Sequence, residues 1–198
     1  MSTSTSLRRV AAPLAALVIA LTAMTATPAQ AVRELFFEET AEAFWSVPYE
    51  CADGSIVQGT LLVRTTRDYE APDTEDADPT ARVQFLAVCP TPEGGTSFSW
   101  AGFLPATITS TDNLKGVHTV GSGTVRDNSG ATHTVTFDVT WTAVGPLMTE
   151  VNGPGSKRMQ RTATATGQVT FDGTVLVDGT ANPPPGRPDP FIRVDTEK

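Results

Sequence analysis

The stretch that decides the fold is residues 114–144, LKGVHTVGSGTVRDNSGATHTVTFDVTWTAV. Its second half alternates between two kinds of side chain. One set comprises Ala131, His133, Val135, Phe137, Val139, Trp141 and Ala143, and the other comprises Thr132, Thr134, Thr136, Asp138, Thr140 and Thr142. Successive side chains of a strand point to opposite faces, so this alternation predicts a half-buried antiparallel strand.

The segment Asp127-Asn128-Ser129-Gly130 predicts how this strand connects to the one before it. Asp at the first position and Gly at the fourth suit a type I turn followed by a left-handed glycine. The resulting register pairs Asp127 with Ala131, Val125 with His133, Gly123 with Val135, Gly121 with Phe137, Thr119 with Val139 and Val117 with Trp141. A shorter loop would place apolar side chains opposite polar ones along the whole ladder, so we favour the bulged turn.

The first 31 residues have the pattern of a signal peptide. Arg8 and Arg9 precede an apolar run at residues 10–23, and Ala29-Gln30-Ala31 is a small-residue cleavage site. The run is short for a membrane span, and no later stretch approaches about 20 apolar residues. We therefore expect a chain that is secreted to the extracellular space after cleavage near Ala31, by the general secretory route in preference to the twin-arginine route.

Charge limits the partners of the remaining chain, residues 32–198. The whole sequence carries a net charge of −8, and removing a signal peptide with two arginines and no acids leaves 12 basic against 22 acidic residues, or −10. An acidic exported domain is a poor ligand for nucleic acid or for an anionic membrane surface. We expect a monomer that has no membrane span, binds no nucleic acid and requires no cofactor.

The two cysteines, Cys51 and Cys89, predict one disulfide. An even number of cysteines in an exported domain is most often paired. Closing a loop of about 39 residues would stabilise the fold by roughly 4 kcal/mol on the chain-entropy model. The alternative, a catalytic or metal-binding thiol, lacks suitable partners in the sequence.

Alternating patterns bounded by turn residues continue along the chain. They predict strands at 33–46, 55–68, 81–89, 96–104, 159–171, 174–178 and 191–195, besides the hairpin. Pro105 is expected to interrupt a strand, 145–158 to form a long loop, and 182–190 to form a Pro-rich extension. The fold class predicted is all-β, a single-domain antiparallel sheet of eight or nine strands. It forms either an up-and-down barrel or a β-sandwich, and glycines inside the strands favour the barrel.

Few residues suggest chemistry. The two histidines, His118 and His133, fall on opposite faces of the predicted hairpin, which argues against a joint metal site. The acidic loop at 70–80 offers calcium ligands at Asp73, Glu75, Asp76 and Asp78, but it lacks the EF-hand pattern, so a solvated loop is preferred. The sequence Gly121-Ser122-Gly123 lies within a strand rather than at a nucleophile elbow. We therefore predict no catalytic residue and no metal ligand.

The aromatic residues Trp100, Phe137 and Trp141 are the candidates for ligand binding, although core packing explains them as well. The leading hypothesis is a secreted, non-catalytic β-domain that binds a small apolar ligand or an extracellular partner. One alternative is a hydrolase that acts through acidic residues such as Glu38, Glu39, Glu42 and Asp138. A second is an inhibitor of a secreted enzyme that presents residues 145–158. A third is binding of ice or another ordered surface by the threonine-rich faces.

Overall fold

The structure is a computed structural model that describes residues 36–70, 79–91 and 94–197. The predicted signal peptide and the four candidate calcium ligands lie outside these residues. The strands are β1 (Phe36–Glu50), β2 (Ile56–Glu70), β3 (Thr80–Thr91), β4 (Gly94–Thr111), β5 (Gly116–Asp127), β6 (Thr132–Ala143), β7 (Met148–Gly153), β8 (Ser156–Phe171), β9 (Thr174–Thr180) and β10 (Phe191–Glu197). A short 3₁₀ turn at Asp112–Leu114 connects β4 to β5. The prediction of an all-β, antiparallel single domain is confirmed.

The strands pair in an order that closes on itself. From β1 to β6 each strand pairs with the next one along the chain, and β6 pairs with β8. The strands β6 and β7 pair with successive parts of β8, and so do β9 and β10. Because β10 also pairs with β1, the sheet forms a ring. A ring of consecutive antiparallel strands is the arrangement of an up-and-down barrel rather than of two separate sheets.

The register predicted for the central hairpin is confirmed at every pair from Val117–Trp141 to Val125–His133. The Asp127 amide donates to the Ala131 carbonyl at 3.0 Å, and Gly130 has the left-handed φ of 90° that the turn requires. At Gly121 a Cβ atom would lie 2.3 Å from Cζ of Phe137 and 2.5 Å from the carbonyl oxygen of Pro105. Only glycine fits there, because the Phe137 ring lies against the backbone.

Residues 145–158 are not one long loop, since β7 and the start of β8 lie within them. Gly153 pairs with Ser156, so Pro154 and Gly155, with a φ of 90°, form a tight turn rather than a break. The hairpin made by β7 brings the strand count to ten rather than eight or nine.

Pro105 does not interrupt its strand, because β4 runs through it. In the ladder between β4 and β5, Trp100 and Ala101 of β4 have partners in β5, and so do the residues from Ala106 onward. Residues 102–105 have no partner in this ladder. Proline lacks an N–H group, and this gap in the ladder is where a strand tolerates one. The strand predicted at 33–46 is present as β1, which extends to Glu50.

The core lies inside the ring. The largest side chains with less than 2% exposure are Trp45, Trp141, Phe85, Leu61, Leu104, Ile192, Val63, Val83, Val117, Val125, Val135 and Val139. The predicted disulfide is confirmed: the sulfur atoms of Cys51 and Cys89 are bonded at 2.02 Å. It links the residue after β1 to β3 at one end of the ring, which we call the disulfide end.

Candidate functional site

The three aromatic residues predicted to bind a ligand lie inside the ring. Trp100, Phe137 and Trp141 are 2%, 3% and 0% exposed. The Trp100 ring stacks on Phe171 at a centroid distance of 5.1 Å and on Phe85 at 5.9 Å. The closed ring itself consists of eight strands, β1 to β6, β8 and β10. Eight strands around a ring leave an interior just wide enough for side chains or for one small ligand. Here Trp100 packs against two other rings, Phe137 packs against the backbone at Gly121, and all three candidates belong to the buried core. Their role in binding stays a prediction.

Further aromatic rings continue this packing to the disulfide end. Tyr49 stacks on Phe98 with ring centroids 5.2 Å apart, and Phe98 meets Phe171 edge to face at 6.4 Å. The His133 imidazole stacks on Phe171 at 4.4 Å. Such pairs are favoured beyond the area they bury. The disulfide end of the interior is therefore occupied by half-buried rings.

His133 is held between two carboxylates. Its Nδ1 lies 2.8 Å from Asp172 Oδ2, and its Nε2 lies 3.1 Å from Asp127 Oδ2. The hydrogen bonds with Asp172 and Asp127 raise the pKa of His133 above 6.5. Bonds from Ser129 and His133 lower the pKa of Asp127 to about 2, and His133 also lowers the pKa of Asp172. Because both ring nitrogens are engaged, this imidazole joins two turns and is not available as a general base.

His118 lies on the outer face of the ring, opposite to the face of His133, as predicted. Its Nε2 is 2.9 Å from Asp138 Oδ1, and the two side chains are 48% and 66% exposed. A hydrolytic triad also needs a hydroxyl beside the imidazole. Within the described residues no hydroxyl bonds to His118, whose cross-strand neighbours are Thr109 and Thr140. The pair sits on open surface and does not form a catalytic arrangement.

The acids near the start of β1 do not form a catalytic pair. Glu39 is buried, where it bonds Arg67 at 2.8 Å and accepts from the Ser110 hydroxyl at 2.7 Å. Glu38 and Glu42 lie on the outer face, and four residues of strand separate them by about 13 Å. Glycosidase carboxyl groups lie about 5–10 Å apart across a cleft. In the described part of the chain no three His, Cys, Asp or Glu side chains are placed to hold a metal ion.

The segment 144–151 contains an unusual set of exposed apolar side chains. Val144, Leu147, Met148 and Val151 are 62%, 41%, 50% and 74% exposed. The strand β7 pairs only with β8 among the described strands, so its other edge carries unpaired backbone groups. Sequence analysis singled out this segment but predicted a loop, because its Gly and Pro residues are typical of turns and interrupt the alternation expected of a strand.

A second feature, which sequence analysis missed, is a row of arginines on the outer face of β2, β3, β8 and β10 and in the loop before β10. The row consists of Arg64, Arg82, Arg158, Arg187 and Arg193, which line three adjoining concavities. These residues are spread over 130 positions of sequence. Strand alternation places Arg64 outside, but only the strand order brings the five together.

The chain has no match among protein-family models, curated proteins or solved structures. Its function is therefore argued from geometry and chemistry alone. Within the described residues no helix has the length and apolarity needed to cross a membrane.

Proposed function

We propose that this chain is a secreted, non-catalytic β-domain that binds an extracellular protein partner through the hairpin of β7 and β8. The observation that carries the proposal is the open edge of β7, which lies beside the four exposed apolar side chains of residues 144–151.

An open strand edge and exposed apolar side chains together suit a protein partner. Unpaired backbone N–H and C=O groups accept an added strand, and apolar anchors beside the edge supply affinity. Proteins usually protect such edges with charged residues. The one charged residue of β7 is Glu150, and it lies opposite Arg158 of β8 in the ladder. This edge therefore has less protection than is usual for a strand edge that binds nothing.

A small apolar ligand in the interior is the weaker hypothesis. The aromatic candidates there are at most 3% exposed, so a ligand would have to displace well-packed side chains. Inhibition of a secreted enzyme is a specific form of the partner hypothesis. The tight turn at Gly153–Ser156 closes the hairpin, and a segment that is already ordered loses less entropy on binding.

The test compares two double variants of the purified protein. Met148→Lys/Val151→Lys places charge on the hairpin, and Ile56→Lys/Val88→Lys places it on apolar residues that are 72% and 56% exposed elsewhere. Proteins retained from culture supernatant by the wild type are identified and purified, and their dissociation constants are measured. We expect the hairpin variant to bind at least tenfold more weakly and the control to bind as the wild type does.

Two results would contradict the proposal. One is a partner that binds the hairpin variant and the wild type equally well. The other is a supernatant from which the wild type retains nothing beyond what an unrelated acidic protein retains. Loss of activity of a retained enzyme on binding would identify the inhibitor form.

A further inference from the structure

The arginine row crosses neighbouring strands on the outer face of the ring. Arg64 of β2 lies directly opposite Arg82 of β3 in the ladder. Arg193 belongs to β10 and Arg158 to β8, which pair with each other and continue the row beyond β1. Neighbouring strands are about 4.8 Å apart, so the four intervals from β8 to β3 span roughly 19 Å.

Three concavities follow this row. The largest, of about 670 Å³, is lined by Arg158, Arg193 and Arg64. A second, of about 240 Å³, shares Arg64 with the first and is also lined by Arg82. The third, of about 230 Å³, shares Arg82 with the second and ends at Arg187. The shared residues place the three concavities side by side, and we call this line of concavities the groove; it is longer than a single small anion requires.

Five guanidinium groups in this groove outnumber the carboxylates near them. Asp195 pairs with Arg158 at 2.8 Å and with Arg193 at 2.7 Å. Glu38 is 3.5 Å from Arg64 and 3.9 Å from Arg193. Glu42 lies opposite Arg64 and Glu150 lies opposite Arg158 in their ladders, so the carboxylates of the described residues number four. An excess of one positive charge remains among the described residues, in a protein whose charge without the predicted signal peptide is −10.

The two arginines at the centre of the groove are weakly paired within the described residues, since Arg64 shares the carboxylate of Glu38 with Arg193. Among the described residues Arg82 has no ion pair, and its Nη2 donates to Gln84 Oε1 at 2.8 Å. The nearest acid to Arg64 is Glu38, at a long 3.5 Å. Like charges directly opposite each other destabilise a sheet. An anion bound between Arg64 and Arg82 would relieve this repulsion, because each planar guanidinium can bind a carboxylate through two parallel hydrogen bonds.

We propose that this groove binds an extended acidic polysaccharide, a chain of uronic-acid sugars whose carboxylates pair with Arg64 and Arg82. The small excess of positive charge along the groove matches a chain with widely separated carboxylates better than a densely charged one. Between the arginines the walls carry hydroxyl and amide groups, from Thr60, Thr66 and Gln84, that suit sugar hydroxyls. Asn152 and Ser156 of the hairpin line one end of the groove, but Arg64 and Arg82, which carry this proposal, lie on β2 and β3 and not on the hairpin.

An acidic peptide fits the groove less well. Peptides commonly bind sheets by adding a strand to an open edge. At the centre of the groove β2 is paired on both sides, with β1 and with β3, so only side chains are offered there. An exposed ring, Phe103 at 73%, lies beside Arg82 and gives a sugar an apolar face to pack against.

The experiment titrates the purified protein with oligogalacturonate, polyglutamate of matched charge and neutral dextran, at low salt, by calorimetry. The test variant is Arg64→Gln/Arg82→Gln. Its control, Lys115→Gln/Arg126→Gln, removes the same charge from exposed residues outside the groove. We expect oligogalacturonate to bind at least tenfold more weakly to the test variant and within twofold of the wild type to the control. A third variant, Arg187→Gln, probes the end of the groove from an exposed loop position and should weaken binding severalfold.

Circular dichroism and the thermal midpoint establish that each variant is folded, and Arg187→Gln provides the test if the double variant is not. Equal losses in the test and control variants would mean that net charge alone attracts the ligand, and would overturn the proposal. So would absence of binding to oligogalacturonate, or binding of polyglutamate or dextran within threefold of it.

Discussion

Thr119 is a buried threonine whose hydroxyl has no hydrogen-bond partner in the described part of the chain. Its side chain is 0% exposed, and its Oγ1 makes no hydrogen bond within the described residues. Thr40 is buried to the same extent, but its hydroxyl donates to Glu38 Oε1 at 2.9 Å. A buried hydroxyl without a partner loses its bonds to water and gains nothing in return. The two threonines therefore contribute to stability with opposite sign.

Replacing each of these threonines by valine tests this difference, because valine has nearly the same shape. We expect Thr119→Val to raise the free energy of unfolding by about 1 kcal/mol, since it removes an unsatisfied polar group. Thr40→Val should lower it by about 1 kcal/mol, since it leaves a hydrogen bond unmade. Urea denaturation at neutral pH measures both. A destabilised Thr119→Val variant would mean that its hydroxyl has a partner in solution.

At the level of elements, His133 connects two turns at the disulfide end, one between β5 and β6 and the other between β8 and β9. Its pKa is raised above 6.5, so its contribution to stability is complete below pH 6.5 and is lost as the pH rises through the folded-state value. The pKa of Asp127 is lowered to about 2, so its contribution is complete above pH 3.8 and is lost as the pH falls towards 2. The connection is therefore strongest between these limits.

The expected result is a thermal midpoint that falls as the pH rises from 6 to 8, and that falls less in His133→Gln. His118→Gln is the matched control, since that ring binds a single carboxylate on exposed surface and joins no two turns. NMR titration of the His133 ring gives its pKa directly. A His133 pKa at or below 6.5 would show that the two bonds are not formed in solution.

The elements that could be predicted from sequence are those whose pattern is local. The hairpin register followed from the alternation around Asp127–Gly130, and the disulfide from the pairing expected of the two cysteines, Cys51 and Cys89. The strand β7 was missed because the prolines and glycines around it indicate turns, and a turn residue does not reveal whether a strand resumes beside it. The arginine row was missed because its members meet only through the order of strands around the ring.

For the whole molecule, β10 determines whether the sheet is a closed ring. It pairs with β1 through seven residues, from Phe191 opposite Glu42 to Glu197 opposite Phe36. It also pairs with β8 through six residues, from Phe191 opposite Thr162 to Thr196 opposite Lys157. Loss of this strand would leave two long, unpaired edges, which are the usual sites of aggregation in sheet proteins.

Ile192 is the residue through which β10 is packed into the core, because its side chain is 0% exposed. We expect Ile192→Ala to lower the free energy of unfolding by about 3 kcal/mol, through lost burial and the cavity left behind. The matched control Ile56→Ala removes the same atoms from a side chain that is 72% exposed, and it should cost less than about 0.5 kcal/mol. Hydrogen exchange gives a second measurement: amides of residues 36–42 and 157–162 should exchange faster together, since both lose the same partner. Faster exchange in only one of the two segments would mean that β10 does not close the ring as a unit.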